Sequence, residues 1–220
     1  MLEEQFRTRG KRKQLLPYTY LSFLLWNIGV TWWVVYASFG GAMLAFIFNS
    51  LFMALVFQFY SRLRVSFPSL HGAWLLVPVW MTWEHLHTLW DLSWTWLTLG
   101  NVFASNHYWI QWYEFTGTSG GTAWVLAVNI LVYQAVSKYD KLSFISRPVL
   151  KIALLILLPL LFSFFIYIIR LQDREDAGEM VKVTVVQPNM DPYNQKFQFD
   201  YQTQFFKMLD MVRDSIDENT

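Results

Sequence analysis

Apolar runs of roughly twenty residues recur along this chain, separated by short charged loops. A bilayer's hydrocarbon core takes roughly 20 such residues per helix, because every backbone N–H and C=O must be paired inside the segment. Two runs stand clear near the start, Tyr18–Ser38 and Ala42–Tyr60, joined by a tight Gly40-Gly41 turn. A third, Ala73–Trp90, is interrupted by Glu84, His85 and His87. Gly120–Val136 is a fourth and Leu150–Ile169 a fifth, the last almost pure Leu, Ile and Phe with Pro159 inside it. Only 15% of the residues are charged, where soluble domains carry about 25%, and 55% are hydrophobic. The chain therefore reads as a polytopic α-helical membrane protein.

The distribution of charge orients the spans. The net charge is only +1, but nearly all charge lies in the first 13 residues, in short loops, and after Ile169. Basic residues flanking membrane spans collect on the cytoplasmic side. With the N-terminal Arg7, Arg9, Lys11, Arg12 and Lys13 inside, Arg62 and Arg64 fall inside, and so do Lys138, Lys141, Arg147 and Lys151. The loop Asp91–Ser119, which has no lysine or arginine, falls outside. Five spans with residues from Leu171 onward outside satisfy this alternation, and an even count breaks it. The basic N-terminal segment sets orientation and could also attract anionic lipid.

From Gln172 the character changes. A polar linker holds Asp173, Arg174, Glu175, Asp176, Gly178 and Glu179. Val181–Val186 is apolar and β-branched, as a buried parallel strand would be. Pro188, Asn189, Asp191 and Pro192 are turn formers. Phe199–Ile216 places Phe205, Met208, Leu209, Val212 and Ile216 on one helical face. Strand, turn and helix make the opening of a βα unit. The organisation expected is a basic N-terminus over 1–17, a transmembrane domain over 18–170, a linker over 171–180 and the start of an α/β domain over 181–220.

The chain has no cysteine. That excludes disulfides, thiolate metal sites and a cysteine nucleophile within these residues. Glu84 and His87 have the i, i+3 spacing that ligates metal in helical bundles, but no second such pair exists. The alternative is an interfacial or buried polar pair, and intramembrane ionisable groups often mark function. Gly117-Thr-Ser-Gly120 has the Gly-x-Ser-Gly form in which rhomboid-type intramembrane proteases carry a serine. Such a serine needs a base, and all four histidines lie upstream of Ser119. A turn before a span is the plainer reading. The aromatic residues between Trp74 and Tyr113 suit either an interfacial belt or a wall where lipid enters.

In several places the sequence resembles the apolipoprotein N-acyltransferases. Asn27-Ile-Gly-Val-Thr-Trp-Trp33, with the Ser38–Gly41 turn, is similar to the opening of that family's third helix. Trp83-Glu84, then Trp94, Trp96 and Leu99-Gly100, resembles its Trp/Glu segment and its aromatic-x-x-x-Gly stretch. Gln111 to Gly121, then Asn129, resembles its Gln…Gly-x-x-Gly…Asn run. Val185-Val-Gln-Pro-Asn-Met-Asp-Pro-Tyr-Asn-Gln-Lys-Phe197 resembles its entry into a nitrilase-type domain, in a form most similar to Bacteroidetes members.

The resemblance implies eight helices carrying a periplasmic nitrilase-like domain at the bacterial inner membrane. It implies acyl transfer from a phospholipid donor to the N-terminal amine of a diacylglyceryl-cysteine lipoprotein, through a thioester on the cysteine of a Glu-Lys-Cys triad. It implies no cofactor, no metal and no nucleic-acid partner. Substrate-facing roles fall on Glu84, Trp94, Trp96, Gln111 and Phe197. On this reading the family's first two helices and its triad lie outside these 220 residues, and Lys196 precedes the triad's glutamate. Span one is then the family's third helix. The chain is expected to be a fragment, inactive alone, whose lone βα unit leaves its strand edges unpaired. A non-catalytic membrane scaffold is the other function to weigh.

Overall fold

The computed structural model describes residues 2–10, 14–67, 70–138, 146–175, 183–191, 195 and 198–213. The chain forms two compact units, Met1–Leu171 and Gln172–Thr220.

The first unit is helical throughout its described elements. A short helix, α1 (Leu2–Thr8), leads to α2 (Leu15–Thr31), which runs on as a 3-10 segment over Trp32–Tyr36. Ser38 turns the chain: its extended backbone and its hydroxyl, which accepts from the Gly41 amide at 3.2 Å, cap α3 (Phe39–Leu63). A 3-10 segment over Leu70–Leu75 precedes α4 (Leu76–His87). Three short 3-10 turns carry the chain to α5 (Tyr113–Lys138), and α6 (Arg147–Glu175) follows.

Among the described residues, three helices are long and apolar enough to cross a membrane: α3, α5, and α6 over Arg147–Leu171. The first and third expected spans differ from the sequence reading. Helix α2 proper has 17 residues and α4 only 12, because each gives part of its length to a tighter 3-10 segment. Pro78 stands in the first turn of α4, a position that tolerates proline because the amide it lacks has no helical partner there.

Polar side chains join the helices where the sequence looks uniformly apolar. Asn49 Nδ2 donates to Asn27 Oδ1 at 2.8 Å, and both residues are buried. Thr31 donates back to the Asn27 carbonyl at 2.7 Å. In lipid such a pair ties two helices, contributing roughly 0.6–2 kcal/mol. Met53, Trp80 and Leu126 form the apolar core beneath them, with Phe23 stacked on Trp80 at 5.6 Å.

Proline shapes α6. Pro159 has no N–H, so the carbonyl four residues back loses its helical partner. That carbonyl belongs to Leu155, and it accepts a hydrogen bond from the Trp124 indole of α5 at 2.7 Å. A second cross-link runs from the Gln111 amide to Ser163 Oγ at 2.6 Å, with Ser163 fully buried. Ile166 is buried beside it, while Leu157, Leu158, Leu161, Phe164 and Phe165 of α6 are exposed, as a lipid-facing surface requires.

Near α1, Arg64 is buried rather than solvated. It pairs with Glu4 at 3.5 Å, Tyr133 also donates to Glu4, and Ser61 donates to Glu3 at 3.3 Å. The acidic residues of α1 thus lie against the ends of α3 and α5.

The second unit contains α7 (Tyr201–Arg213). Asp200 caps it, accepting from the Thr203 amide at 3.3 Å and from the Thr203 hydroxyl. No strand is present among the described residues, and Val183 and Val185 are exposed. A strand obtains its ladder bonds from a neighbour, and residues 183–186 have none among the described residues. Val181, Lys182, Lys196 and Phe197 lie outside the described residues.

Candidate functional site

Trp80, Glu84 and His87 are spaced i, i+4, i+7, so α4 presents them on one face. The face meets α5 and the 3-10 turns over Thr95–Leu97 and Leu99–Phe103. Glu84 Oε1 accepts from the Trp80 indole at 3.1 Å and from the Leu99 amide at 2.9 Å. Its Oε2 accepts from the Thr122 hydroxyl at 2.6 Å. Thr122 Oγ1 in turn accepts from the Gly100 amide at 3.0 Å, and Tyr113 donates its hydroxyl to the Gly100 carbonyl at 2.9 Å. One carboxylate therefore joins α4, the outer turns and α5. Charge-assisted bonds of this kind are short and roughly twice as strong as neutral ones.

Glycines make the approach possible. A Cβ on Gly100 would lie 2.0 Å from the Thr118 carbonyl oxygen, and one on Gly121 would lie 1.7 Å from the Tyr113 hydroxyl. Gly117, at φ 63°, kinks the start of α5 in a conformation that favours glycine. The Gly-rich run in the first turns of α5 is thus a close-packing surface. Ser119, the candidate nucleophile of the protease reading, is exposed. Among the described residues no hydrogen bond joins it to a histidine.

His87 sits between aromatic rings, stacked on Trp83 at 4.5 Å and edge-on to Trp90 at 5.5 Å. The Trp90 indole nitrogen lies 2.9 Å from its Nδ1 and the Trp94 amide 2.9 Å from its Nε2. A neutral imidazole accepts at one nitrogen only. One approach is therefore a hydrogen bond and the other a close contact.

The structure brings Glu84 and Trp94 together. Both line a small cavity with Asn49, Met53, Trp80, Trp83 and His87, and its volume of about 20 Å³ holds about one water. The Trp94 indole nitrogen is buried with no partner in the structure, so a water there has a donor to meet. Trp96 lies apart, largely exposed, with its ring edge-on to Trp33 at 4.9 Å. Gln111 also lies apart, bound through its backbone to Ser163 and through its side chain to the His107 carbonyl at 2.8 Å. Phe197 lies outside the described residues. Sequence reasoning passed over Thr122, the residue that completes the Glu84 clamp. Its one signal was a hydroxyl directly after Gly120-Gly121, inside an apolar span.

A larger cleft of about 490 Å³ opens between the start of α5 and the Pro159 region of α6. Trp112, Phe115, Thr116, Leu158, Pro159 and Phe162 line it, and its walls are almost wholly apolar. Chemically, the Glu84 cluster holds backbone in place, and all its carboxylate contacts are taken by protein donors. The cleft offers apolar surface between two helices long and apolar enough to cross a membrane.

Comparison with known proteins gives this arrangement a family. Residues 3–131 match the family model described as the apolipoprotein N-acyltransferase N-terminal domain. The apolipoprotein N-acyltransferase of Chlorobaculum tepidum is 31% identical over 178 residues, which is 80% of this chain and 32% of that protein. The chain thus spans about a third of the length of the curated relative it matches. No solved structure matches. The match extends through the Trp-Glu segment and the Gly-Gly-Thr start of α5, the parts that build the Glu84 clamp, and the chain belongs to the apolipoprotein N-acyltransferase family.

Proposed function

We propose that this chain is the membrane part of an enzyme that moves an acyl chain from a phospholipid to the N-terminal amine of a diacylglyceryl-cysteine lipoprotein. The observation that carries this reading is family membership over a helical membrane unit. The acyl group passes to a cysteine thiol, releasing a lysophospholipid and forming a thioester. The lipoprotein amine then attacks the thioester carbonyl, and the thiolate leaves. These 220 residues hold no cysteine, so by themselves they perform neither half-reaction. Their work is to seat the lipid and to carry a nitrilase-like α/β domain, which opens with a βα unit near residue 181.

Five crossings of the inner membrane, with the C-terminal segment periplasmic, complete the proposal. The positive-inside pattern of the loops supports it. So does length: with their 3-10 extensions, α2 and α4 have contours of about 35 Å and about 30 Å, and a hydrocarbon core is about 30 Å. Glu84 acts as a positioning residue that fixes the Leu99-Gly100 turn against α5. Trp94, Trp96 and Gln111 are each assigned a substrate-facing role on the family resemblance, as is Phe197. The apolar cleft lined by Phe115, Leu158 and Phe162 suits a hydrocarbon tail, which needs shape and no polar partner.

The test is expression of the gene product containing these residues in bacteria depleted of their own N-acyltransferase. Mass spectrometry of lipoprotein N-terminal peptides should show a third acyl chain. Peptides that remain diacylated, with the protein present in the membrane, would refute the assignment. The 220-residue chain expressed alone should give no triacylated product.

A further inference from the structure

His87 is the one buried histidine of the chain; His71, His85 and His107 are exposed. Both of its ring nitrogens meet donors, the Trp90 indole at Nδ1 and the Trp94 amide at Nε2, each at 2.9 Å. The three protonation forms of the ring treat these donors differently. With its proton on Nδ1, the ring accepts from the Trp94 amide, and the Trp90 indole meets another donor. With its proton on Nε2, it accepts from Trp90, and the Trp94 amide meets a donor. The imidazolium carries both protons and accepts from neither. A neutral ring therefore ties down the chain that follows α4, and a protonated ring faces a donor on each side.

That chain has few other ties. Thr88 to Ser93 are all exposed, and their backbone amides bond back only to His85, Leu86 and Trp90. Trp90 adds a ring contact with Phe52 of α3 at 5.2 Å. A segment with exposed backbone bonds and little buried apolar surface opens at low cost. Trp94, which ends the turn, forms part of the wall of the small cavity that also holds Glu84 and His87. The titratable groups around the ring are Glu84 on the same helix face, with His85 and Asp91 exposed. From α3 the cavity meets Asn49 and Met53, and from the next turn Leu97 and Thr98, none of them charged. Among the described residues no carboxylate accepts from His87, and the Glu84 oxygens already bond Trp80, Leu99 and Thr122.

We propose that His87 is a proton-operated clasp on the turn from Thr88 to Trp94. Neutral, it holds the turn closed; protonated, it releases the turn and opens the Trp94 wall of the cavity that holds Glu84. The clasp is made by the neutral ring, so it is present at high pH and is lost as pH falls through the folded-state value of His87. The inference rests on hydrogen-bond geometry alone and is independent of the acyl-transfer reading.

The chain has no cysteine, so Leu92→Cys, at an exposed position within the turn, takes a single nitroxide spin label. The labelled full-length chain in nanodiscs should give a slow-motion spectrum at about pH 8 and gain a mobile component by about pH 5, across the range in which histidine changes charge. The ratio of mobile to immobile label should rise about tenfold or more, because one accepted bond is lost and a charged donor is left unpaired. His87→Gln, which accepts a hydrogen bond and does not titrate, should stay immobile at both ends. His71→Gln, His85→Gln and His107→Gln together leave His87 as the sole histidine and should keep the transition. No acid transition in the labelled chain, the same transition in His87→Gln, or its loss in the sole-histidine chain overturns the proposal. A second readout covers a His87→Gln chain that fails to fold. Nitrogen NMR of the isotopically labelled imidazole in the sole-histidine chain should show a neutral ring at about pH 8 and an imidazolium at about pH 5, with the midpoint of the spin-label transition. A ring that stays neutral while the label is released, or a midpoint that does not coincide, places the proton elsewhere and also overturns it.

Discussion

The Trp124–Leu155 hydrogen bond is placed by a proline, and that makes a sharp prediction. Pro159 cannot donate to the Leu155 carbonyl, and the Trp124 indole at 2.7 Å takes the place of the missing amide. Trp124→Phe keeps an aromatic ring beside Phe103 and Trp112 but removes the donor. The carbonyl is then unpaired in a helix that faces lipid, where water does not reach. An unsatisfied buried acceptor costs about 1–3 kcal/mol, and the trimmed ring adds about 1 kcal/mol of lost apolar contact. The total expected is about 2–4 kcal/mol.

Pro159→Ala supplies an N–H that pairs with Leu155 inside α6. In that background Trp124→Phe should cost only the packing part, about 1 kcal/mol. The cycle therefore has a coupling energy of about 1–3 kcal/mol. Reversible unfolding of the four proteins in mixed micelles, followed by circular dichroism, measures it. A coupling below about 0.5 kcal/mol would show that the indole does not replace the proline's missing donor, and the account of α5–α6 packing would be wrong.

Four further outcomes are expected. Glu84→Ala leaves the Trp80 indole, the Leu99 amide and the Thr122 hydroxyl without an acceptor and should destabilise the unit by about 3–5 kcal/mol. Glu84→Gln, which keeps the shape, should cost about half as much, and equal small losses for both would count against the clamp. Gly100→Ala should destabilise by at least about 1–3 kcal/mol, because its Cβ meets backbone that cannot move aside. Gly29→Ala, inside α2 with nothing within 4 Å, should stabilise by about 0.5–1 kcal/mol; micelle unfolding checks both signs. The Thr203 hydroxyl, with backbone amides, holds the Asp200 carboxyl below its usual range. The cap on α7 is therefore present above the ordinary aspartate pKa and is lost as pH falls through the folded-state value. Hydrogen-exchange protection at the Thr203 amide, relative to its intrinsic rate at each pH, should fall on acidification in the wild type and show no such acid transition in Asp200→Ala.

Much of the helical membrane character was legible because it rests on local quantities. Apolar run length marks α3, α5 and α6 without reference to any neighbour. Glu84 was legible as a candidate because a carboxylate in an apolar run is rare, and the Trp80-Glu84-His87 spacing could be read from period alone. Its partners were not. Thr122 is 38 residues away and the Leu99 amide 15, and no local pattern encodes which donors will converge. Gly117-Thr-Ser-Gly120 read as a turn before a span, yet it lies inside α5, and Gly100 and Gly121 are where two backbones meet side by side. Arg64 read only as one of several basic loop residues that orient the spans, and the structure buries it on Glu4.

By itself the sequence determined that this chain lies in a membrane, where its basic loops gather, and which family its motifs resemble. Those follow from length, composition and order along the chain. Only the tertiary structure decided where the helices tighten into 3-10 segments, that Glu84 meets the Leu99 amide and the Thr122 hydroxyl, and that Pro159 is answered by Trp124. Each of those is a pairing between groups far apart in sequence. In a medium without water a polar group must find a partner in the protein, and the fold alone says which one it meets.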